Sequence, residues 1–183
     1  MELKKLTSEE IRGVYKEHLC RDFPADELKP LDRIEVSLRE GTYRCIGAYE
    51  EGAFRAYAFF VIIGDRCLLD YFGVVPSVRG KGVGTTFLKQ VLSSLDMELI
   101  LIEIEDPEEG EIEIRCRRKH FYLNAGCRDT NVRFITFGVK FLLLEYPTEV
   151  THSAEDIEDG YREIYKAILP QSMFERNIRE LRL

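Results

Sequence analysis

The sequence predicts an α+β fold: a mixed, mostly antiparallel central sheet with one parallel strand pair and flanking helices. Three observations predict it. Three aromatic and β-branched runs, Tyr43–Tyr49, Ala53–Ile63 and Cys67–Val75, are separated only by the connections Glu51-Gly52 and Gly64-Asp65-Arg66, which describes an antiparallel meander. The third run passes through a glycine-rich loop into an amphipathic segment, Val83–Leu95, and then into the buried run Glu98–Glu105. Strand, helix and strand in that order form a crossover, which makes those two strands parallel. The chain has 183 residues, 45% of them hydrophobic, enough to enclose one good core.

The remaining elements follow in chain order. Met1–Leu6 reads as a short strand. Thr7-Ser8-Glu9-Glu10 has the form of a capping box and opens a helix over 8–20, with Ile11, Val14, Tyr15 and Leu19 on its inner face. Asp22–Glu40 carries Phe23, Leu28, Leu31, Ile34 and Leu38 at near-helical spacing. Pro24 and Pro30 limit where that helix begins, and Gly41 ends it. After the crossover, Asp106–Glu111 is an acidic turn. Ile112–Asn124 is a helix stopped by Ala125-Gly126, and Asn131–Tyr146 is two strands broken at Gly138. Ser153-Ala154-Glu155-Asp156 caps a last long helix with Ile157, Tyr161, Ile164, Tyr165 and Ile168 on one face. Met173, Phe174, Ile178 and Leu181 then read as a short extra helix. Residues 1–183 are expected to form a single domain, with 151–183 as a C-terminal helical extension that either covers the sheet or makes a homodimer contact.

Composition narrows the function classes. Lys and Arg number 26 against 33 Asp and Glu, a net charge of −7, which disfavours nonspecific nucleic-acid binding. No run approaches a membrane span, and the charged start lacks a secretory h-region. Five cysteines with no CxxC pair argue against both a disulfide framework and a zinc knuckle, and point to a reduced cytoplasm. His18, His120 and His152 are scattered with no partner at ligand spacing, so no metal is expected.

The most informative stretch is Tyr71-Phe72-Gly73-Val74-Val75-Pro76-Ser77-Val78-Arg79-Gly80-Lys81-Gly82-Val83-Gly84-Thr85-Thr86. Alternating glycines let successive N–H groups face one concavity, and a helix start adds the positive end of its dipole. The result is an anion site suited to phosphate, with Arg79 and Lys81 as two mobile cations. A Rossmann loop needs G-x-G-x-x-G, but Gly80, Gly82 and Gly84 give G-x-G-x-G. A P-loop needs Ser or Thr after Gly-Lys, and Gly82 follows Lys81. The pattern R-x-x-G-x-G after an apolar strand ending in Val-x-Pro is met residue for residue.

That pattern resembles the GNAT superfamily of acyl-CoA-dependent N-acetyltransferases. Phe72-Gly73-Val74-Val75-Pro76 is similar to the family's central strand. Phe121-Tyr122-Leu123-Asn124-Ala125-Gly126-Cys127 is similar to its F-Y-x-x-x-G-F helix segment, with Cys127 replacing the last Phe. The resemblance implies a sheet splayed between its fourth and fifth strands, with pantetheine in the gap, and acetyl-CoA as co-substrate. It implies that Arg79, Gly80, Lys81, Gly82, Val83 and Gly84 hold the diphosphate, with Thr85 as a hydroxyl contact. Phe72, Gly73 and Val74 then belong to the cofactor strand, and a backbone N–H near Val74 polarises the thioester carbonyl.

Transfer to an amine also needs a base and an acid, because an ammonium has no lone pair and a departing thiolate needs a proton. Glu103, in an I-E-I setting, resembles the catalytic Glu of some ribosomal-protein acetyltransferases. Glu105 shares its strand parity and Asp70 is a third candidate, and the sequence leaves the choice open. Tyr122 matches the family's general-acid tyrosine. Two departures stand out: Arg115 and Arg118 occupy positions where many members have Asn and Ala, and with Arg117 and Lys119 they make a basic patch. The acidic turn with Glu108, Glu109 and Glu111 suits a cationic acceptor. The function expected is transfer of acetyl to a primary amine of a small molecule or peptide. A noncatalytic acyl-CoA-binding regulatory module is the alternative, and a nucleotide-binding protein is a weaker one.

Overall fold

Thr7 and Glu10 exchange two hydrogen bonds, Thr7 N–H to Glu10 Oε2 at 2.7 Å and Glu10 N–H to Thr7 Oγ1 at 3.3 Å, so the capping box starts a helix at Ser8. The computed structural model describes residues 1–25 and 27–181. The last two positions of the expected C-terminal extension, and Asp26 in the expected helix over Asp22–Glu40, lie outside the described residues. Along the chain stand β1 (Glu2–Lys5), α1 (Ser8–Val14), a π-helical turn at Tyr15–Leu19, α2 (Cys20–Asp22), α3 (Leu31–Glu40), β2 (Tyr43–Glu50), β3 (Ala53–Ile63) and β4 (Arg66–Val74). After a 3-10 turn at Pro76–Val78 come α4 (Val83–Ser93), β5 (Leu99–Glu105), α5 (Ile112–Asn124), β6 (Arg128–Thr136), β7 (Val139–Glu145), α6 (Ala154–Ile168), α7 (Gln171–Asn177) and β8 (Ile178–Leu181).

Among the described residues the strands follow the order β1-β2-β3-β4-β5-β7-β6-β8. β4 and β5 are parallel, with a ladder from Arg66 opposite Leu99 to Leu69 opposite Ile102. The pairs β1–β2, β2–β3, β5–β7, β6–β7 and β6–β8 are antiparallel. This is the mixed sheet that the sequence predicts. By its contacts the chain divides into two compact units, Met1–Ile62 with Asp70–Val91, and Ile63–Leu69 with the chain from Leu92 onward.

In the first unit, α3 begins after Pro30 and ends at Gly41, whose φ of +76° closes the helix in the left-handed region. Leu19, Ile34, Phe59, Phe60, Phe87 and Leu88 are buried in its core. Tyr57 is buried with them, and it explains Gly73: a Cβ at that position would overlap the Tyr57 phenol ring. The expected helix over 8–20 differs in one respect. Its middle is π-helical, and the Cys20 N–H reaches back to the Tyr15 carbonyl.

In the second unit, α6 opens on the Ser153–Asp156 capping box and buries Ile157, Gly160, Tyr161, Ile164 and Tyr165. Gly160 is the closest approach. A Cβ there would overlap Leu99 Cδ2, so glycine lets this helix lie so near β5 without displacing that side chain. The chain end corrects one expectation. Helix α7 stops at Asn177, and Ile178 and Leu181 belong to β8, which pairs with β6 from Thr136 opposite Ile178 to Arg133 opposite Leu181. The β6 backbone needs partners on that side, and the tail supplies them. Four residues carry too little periodicity to reveal it. The expected strand start at Asn131 also moves, to Arg128. Asn131 itself has a φ of +59° inside a register shift, which hid the continuous strand.

Candidate active site

The residues nominated by sequence fall into two groups, the glycine loop in the first unit and the carboxylate and tyrosine in the second. β4 ends at Val74 and α4 opens at Val83, so the loop is short. Gly80 and Gly82 have φ of +75° and +80°, where side chains are strained, and nothing lies within 4 Å of a Cβ placed on either. Glycine is required here by the backbone alone, and the space above both stays open. The first turn of α4 presents N–H groups with no intrahelical acceptor, at the positive end of the helix dipole. Phe72 stacks on Phe87 with centroids 5.6 Å apart and ties β4 to α4. Val83, Gly84 and Thr85, in that first turn, are half-buried.

The two loop cations are anchored rather than mobile, which corrects the sequence expectation. Arg79 Nε donates to the Val74 carbonyl at 2.8 Å and Nη2 to Asp22 Oδ1 at 2.9 Å. Lys81 Nζ donates to the Ser77 carbonyl at 3.0 Å. Asp22 also accepts from the Tyr57 hydroxyl at 3.1 Å. Burial alone would raise the Asp22 carboxyl, but hydrogen bonds from Arg21, Arg79 and Tyr57 outweigh it and hold it below its usual value. These bonds leave the guanidinium partly exposed and fix the direction in which its charge points.

All three candidate carboxylates are engaged, each differently. In the second unit, Glu103 on β5 accepts from the Tyr161 hydroxyl at 2.6 Å, and the Tyr165 hydroxyl lies 2.9 Å and 3.0 Å from its two oxygens. Glu105, two residues on, is held by Arg115 at 2.6 Å and Arg118 at 2.8 Å. In the first unit, Asp70 is held by the Lys29 ammonium and the Tyr43 hydroxyl. Glu103 thus takes two phenol hydroxyls, whereas Glu105 and Asp70 each take a cation.

Tyr122 sits in the last turn of α5, its ring edge-on to Phe121 at 5.2 Å. Among the described residues its hydroxyl has no hydrogen-bond partner. Burial pushes the phenol up to about 12, with the nearby Arg118 charge opposing. The group is therefore neutral and holds its proton at pH 7. Cys127, just beyond the helix, is buried and likewise pushed up to about 12, consistent with a small hydrophobe.

Neither charged feature near α5 is free. In the basic patch, Arg115 and Arg118 hold Glu105, Arg117 pairs with Glu113, and Lys119 with Asp129. In the acidic turn, the buried Asp106 takes Arg133 at 2.9 Å and Lys140 at 3.0 Å, which also reach Glu108 and Glu109. These pairings offset part of the charge of each patch, so the turn offers a cationic acceptor less charge than its sequence suggests. Among the described residues no group of three or more His, Cys, Asp or Glu is placed to hold a metal ion. No helix among them is long and apolar enough to cross a membrane.

The model of the acetyltransferase (GNAT) family matches residues 11–114, more than half of the chain. The chain belongs to the GNAT acetyltransferase family. It is an acyltransferase, of a family whose members generally use acetyl-CoA. Solved GNAT structures share its fold at low identity. A GNAT-family protein from Bacteroides thetaiotaomicron superposes with a TM-score of 0.75 at 18% identity, over 92% of this chain and 97% of that one. The ribosomal-protein-S18-alanine N-acetyltransferase of Escherichia coli gives 0.63 at 14%, over 82% and 96%. A spermidine N-acetyltransferase chimera from Vibrio cholerae and hSSAT gives 0.59 at 14%, over 79% and 95%. Among curated proteins, none matches significantly.

Sequence reasoning places Tyr161 and Tyr165 on an apolar helix face and gives them no role. Their hydroxyls are the missed residues. The signal was available: buried tyrosines, unlike phenylalanines, need a polar partner, and two of them four apart on one face need it in one place.

Proposed function

We propose that this GNAT enzyme transfers the acetyl group of acetyl-CoA to a primary amine by direct attack. The observation that carries the reading is the open, left-handed pair Gly80 and Gly82 at the entrance to α4, inside the segment matched by the family model. In this reading the N–H groups of Arg79–Thr85 bind the CoA diphosphate, as helix N-termini and nests bind anions. Arg79, steadied by Asp22, and Lys81 add positive charge, and Thr85 adds a hydroxyl. Phe72, Gly73 and Val74 line the thioester arm, and the Val74 N–H polarises its carbonyl, a donor of a kind worth about 3 kcal/mol in a transition state.

The amine nitrogen attacks the carbonyl carbon, a C–N bond forms, and the C–S bond breaks. A carboxylate first takes one proton from the ammonium to free the lone pair, the nitrogen sheds a second to solvent as the amide forms, and the thiolate takes one from Tyr122, which solvent restores. Glu103 is the base proposed. A proton arriving at Glu105 or Asp70 would strand the cations that hold them, whereas phenol hydroxyls can turn to share a new proton. The reading treats residues 1–183 as one catalytic domain. A primary-amine acceptor agrees with the alanine and spermidine enzymes among the structural neighbours.

Calorimetry with CoA and thiol release from acetyl-CoA in the presence of spermidine, lysine and an alanine-initiated peptide test it. Micromolar CoA binding with amine-dependent thiol release is expected. Absence of CoA binding overturns the reading. Binding without release under any amine replaces it with a noncatalytic acyl-CoA module.

A further inference from the structure

Glu103 lies in the middle of a mostly apolar strand, Leu99-Ile-Leu-Ile-Glu-Ile-Glu105, and its hydrogen-bonding partners come from the C-terminal helix. Both are tyrosines of α6, one turn apart, with ring centroids 4.8 Å from each other. Tyr161 is fully buried, and its ring also packs on Phe134 at 4.6 Å. Its hydroxyl lies 2.7 Å from Thr136 Oγ1 on β6. A phenol has one proton to give. With that proton donated to the Glu103 carboxylate, the Thr136 hydroxyl is the donor to Tyr161, so a directed chain runs Thr136 to Tyr161 to Glu103. Tyr165 adds a second donor to the same carboxylate.

We infer that Tyr161 and Tyr165 are positioning residues for the acetyl-transfer reaction: through them the C-terminal helix aims Glu103 and keeps it in its charged, proton-accepting form. The inference rests on the reading of Glu103 as the base and adds what sets that base. Two phenol hydroxyls donating to one carboxylate favour its ionised state. Tyr161 is itself pushed well above the usual phenol range, by burial first and then by the Glu103 charge, so it stays a donor at every working pH. Of the other charged groups on these elements, Glu105 pairs with Arg115 and Arg118, Asp106 with Arg133 and Lys140, Arg162 of α6 with Glu180 of β8, and Glu163 of α6 with Arg66, while Lys166 of α6 lies over the Phe174 ring. Gly160 completes the device, because it lets α6 approach β5 without displacing Leu99.

The test compares Tyr161→Phe, Tyr165→Phe and Glu103→Gln in the full chain. Thiol release is measured from pH 4 to 9 with the fastest amine of the panel above. A carbon-13 NMR titration follows the Glu103 carboxyl, assigned by its loss in Glu103→Gln. Each tyrosine variant keeps its ring, so a fold failure is not expected, and two separate variants guard against one. The expected result is a carboxyl midpoint about one pH unit higher in each tyrosine variant. The acidic limb of kcat/KM rises with it, so rates at pH values below both midpoints fall about tenfold while rates well above them stay the same, and KM for acetyl-CoA stays unchanged. A merely structural role would lower rates equally at all pH values and leave the limb in place. That outcome, with Glu103→Gln down a hundredfold or more, overturns the inference and keeps Glu103 as the base. A Glu103→Gln variant as active as the parent overturns the base reading instead, and the positioning role with it.

Discussion

The glycine loop and the Glu103 network are built in opposite ways. The loop is local: within about ten residues, Gly80 and Gly82 adopt left-handed conformations with open space around them, and the chain's own direction aims the N–H groups. The network is assembled from β5, β6 and α6, with Glu103, Thr136, Tyr161 and Tyr165 spread over some sixty residues. At the loop, glycine is demanded by backbone conformation. At Gly160, which seats α6 on β5, glycine is demanded by a neighbour. The difference teaches that a binding element made of backbone can be read as a motif, whereas a side-chain device needs the core to be packed before it exists.

Tyr122 breaks the comparison most sharply, because a motif points to it while burial sets its chemistry. Tyr122→Phe should lower kcat about a hundredfold, equivalent to about 2.7 kcal/mol, with CoA affinity unchanged by calorimetry. The phenol raised to about 12 stays protonated below that pH, so no alkaline loss of activity from this group is expected up to about pH 10. A Tyr122-dependent limb near pH 8 would refute the acid role.

Gly160→Ala should cost about 2 kcal/mol of stability, read as a lower urea midpoint, because the added methyl meets Leu99. It should also weaken the Tyr161 and Tyr165 bonds to Glu103 and shift the kinetic limb as the phenol variants do. Unchanged stability would mean that α6 seats on β5 with room to spare. Gly82→Ala is the counterpart at the loop. It meets no neighbour, so its stability cost should be smaller, about 1 kcal/mol from the left-handed backbone alone. Its main effect should be weaker CoA binding, with kcat at saturation preserved.

The smallest effect expected is at Asp22. Asp22→Asn frees Arg79 from its carboxylate while Val74 still holds Nε. CoA affinity should change no more than about fivefold, as for other exposed ion pairs. A larger loss would show that the direction of the Arg79 charge matters as much as its presence.

Sequence by itself determined the local parts of this protein: both capping boxes, the meander, the parallel crossover, the loop and the position of Tyr122. Each is written in neighbouring residues, as a turn signal, a period or a motif, and short-range sterics settle them. Tertiary structure alone decided which partners the charged groups take. It drew Arg115 and Arg118 onto Glu105, and paired Asp106, Glu108 and Glu109 of the acidic turn with Arg133 and Lys140. It also made β8 from an expected helix and delivered two tyrosine hydroxyls to Glu103. Those outcomes follow from polar groups that must find partners once buried, and which partner is within reach depends on how distant segments pack.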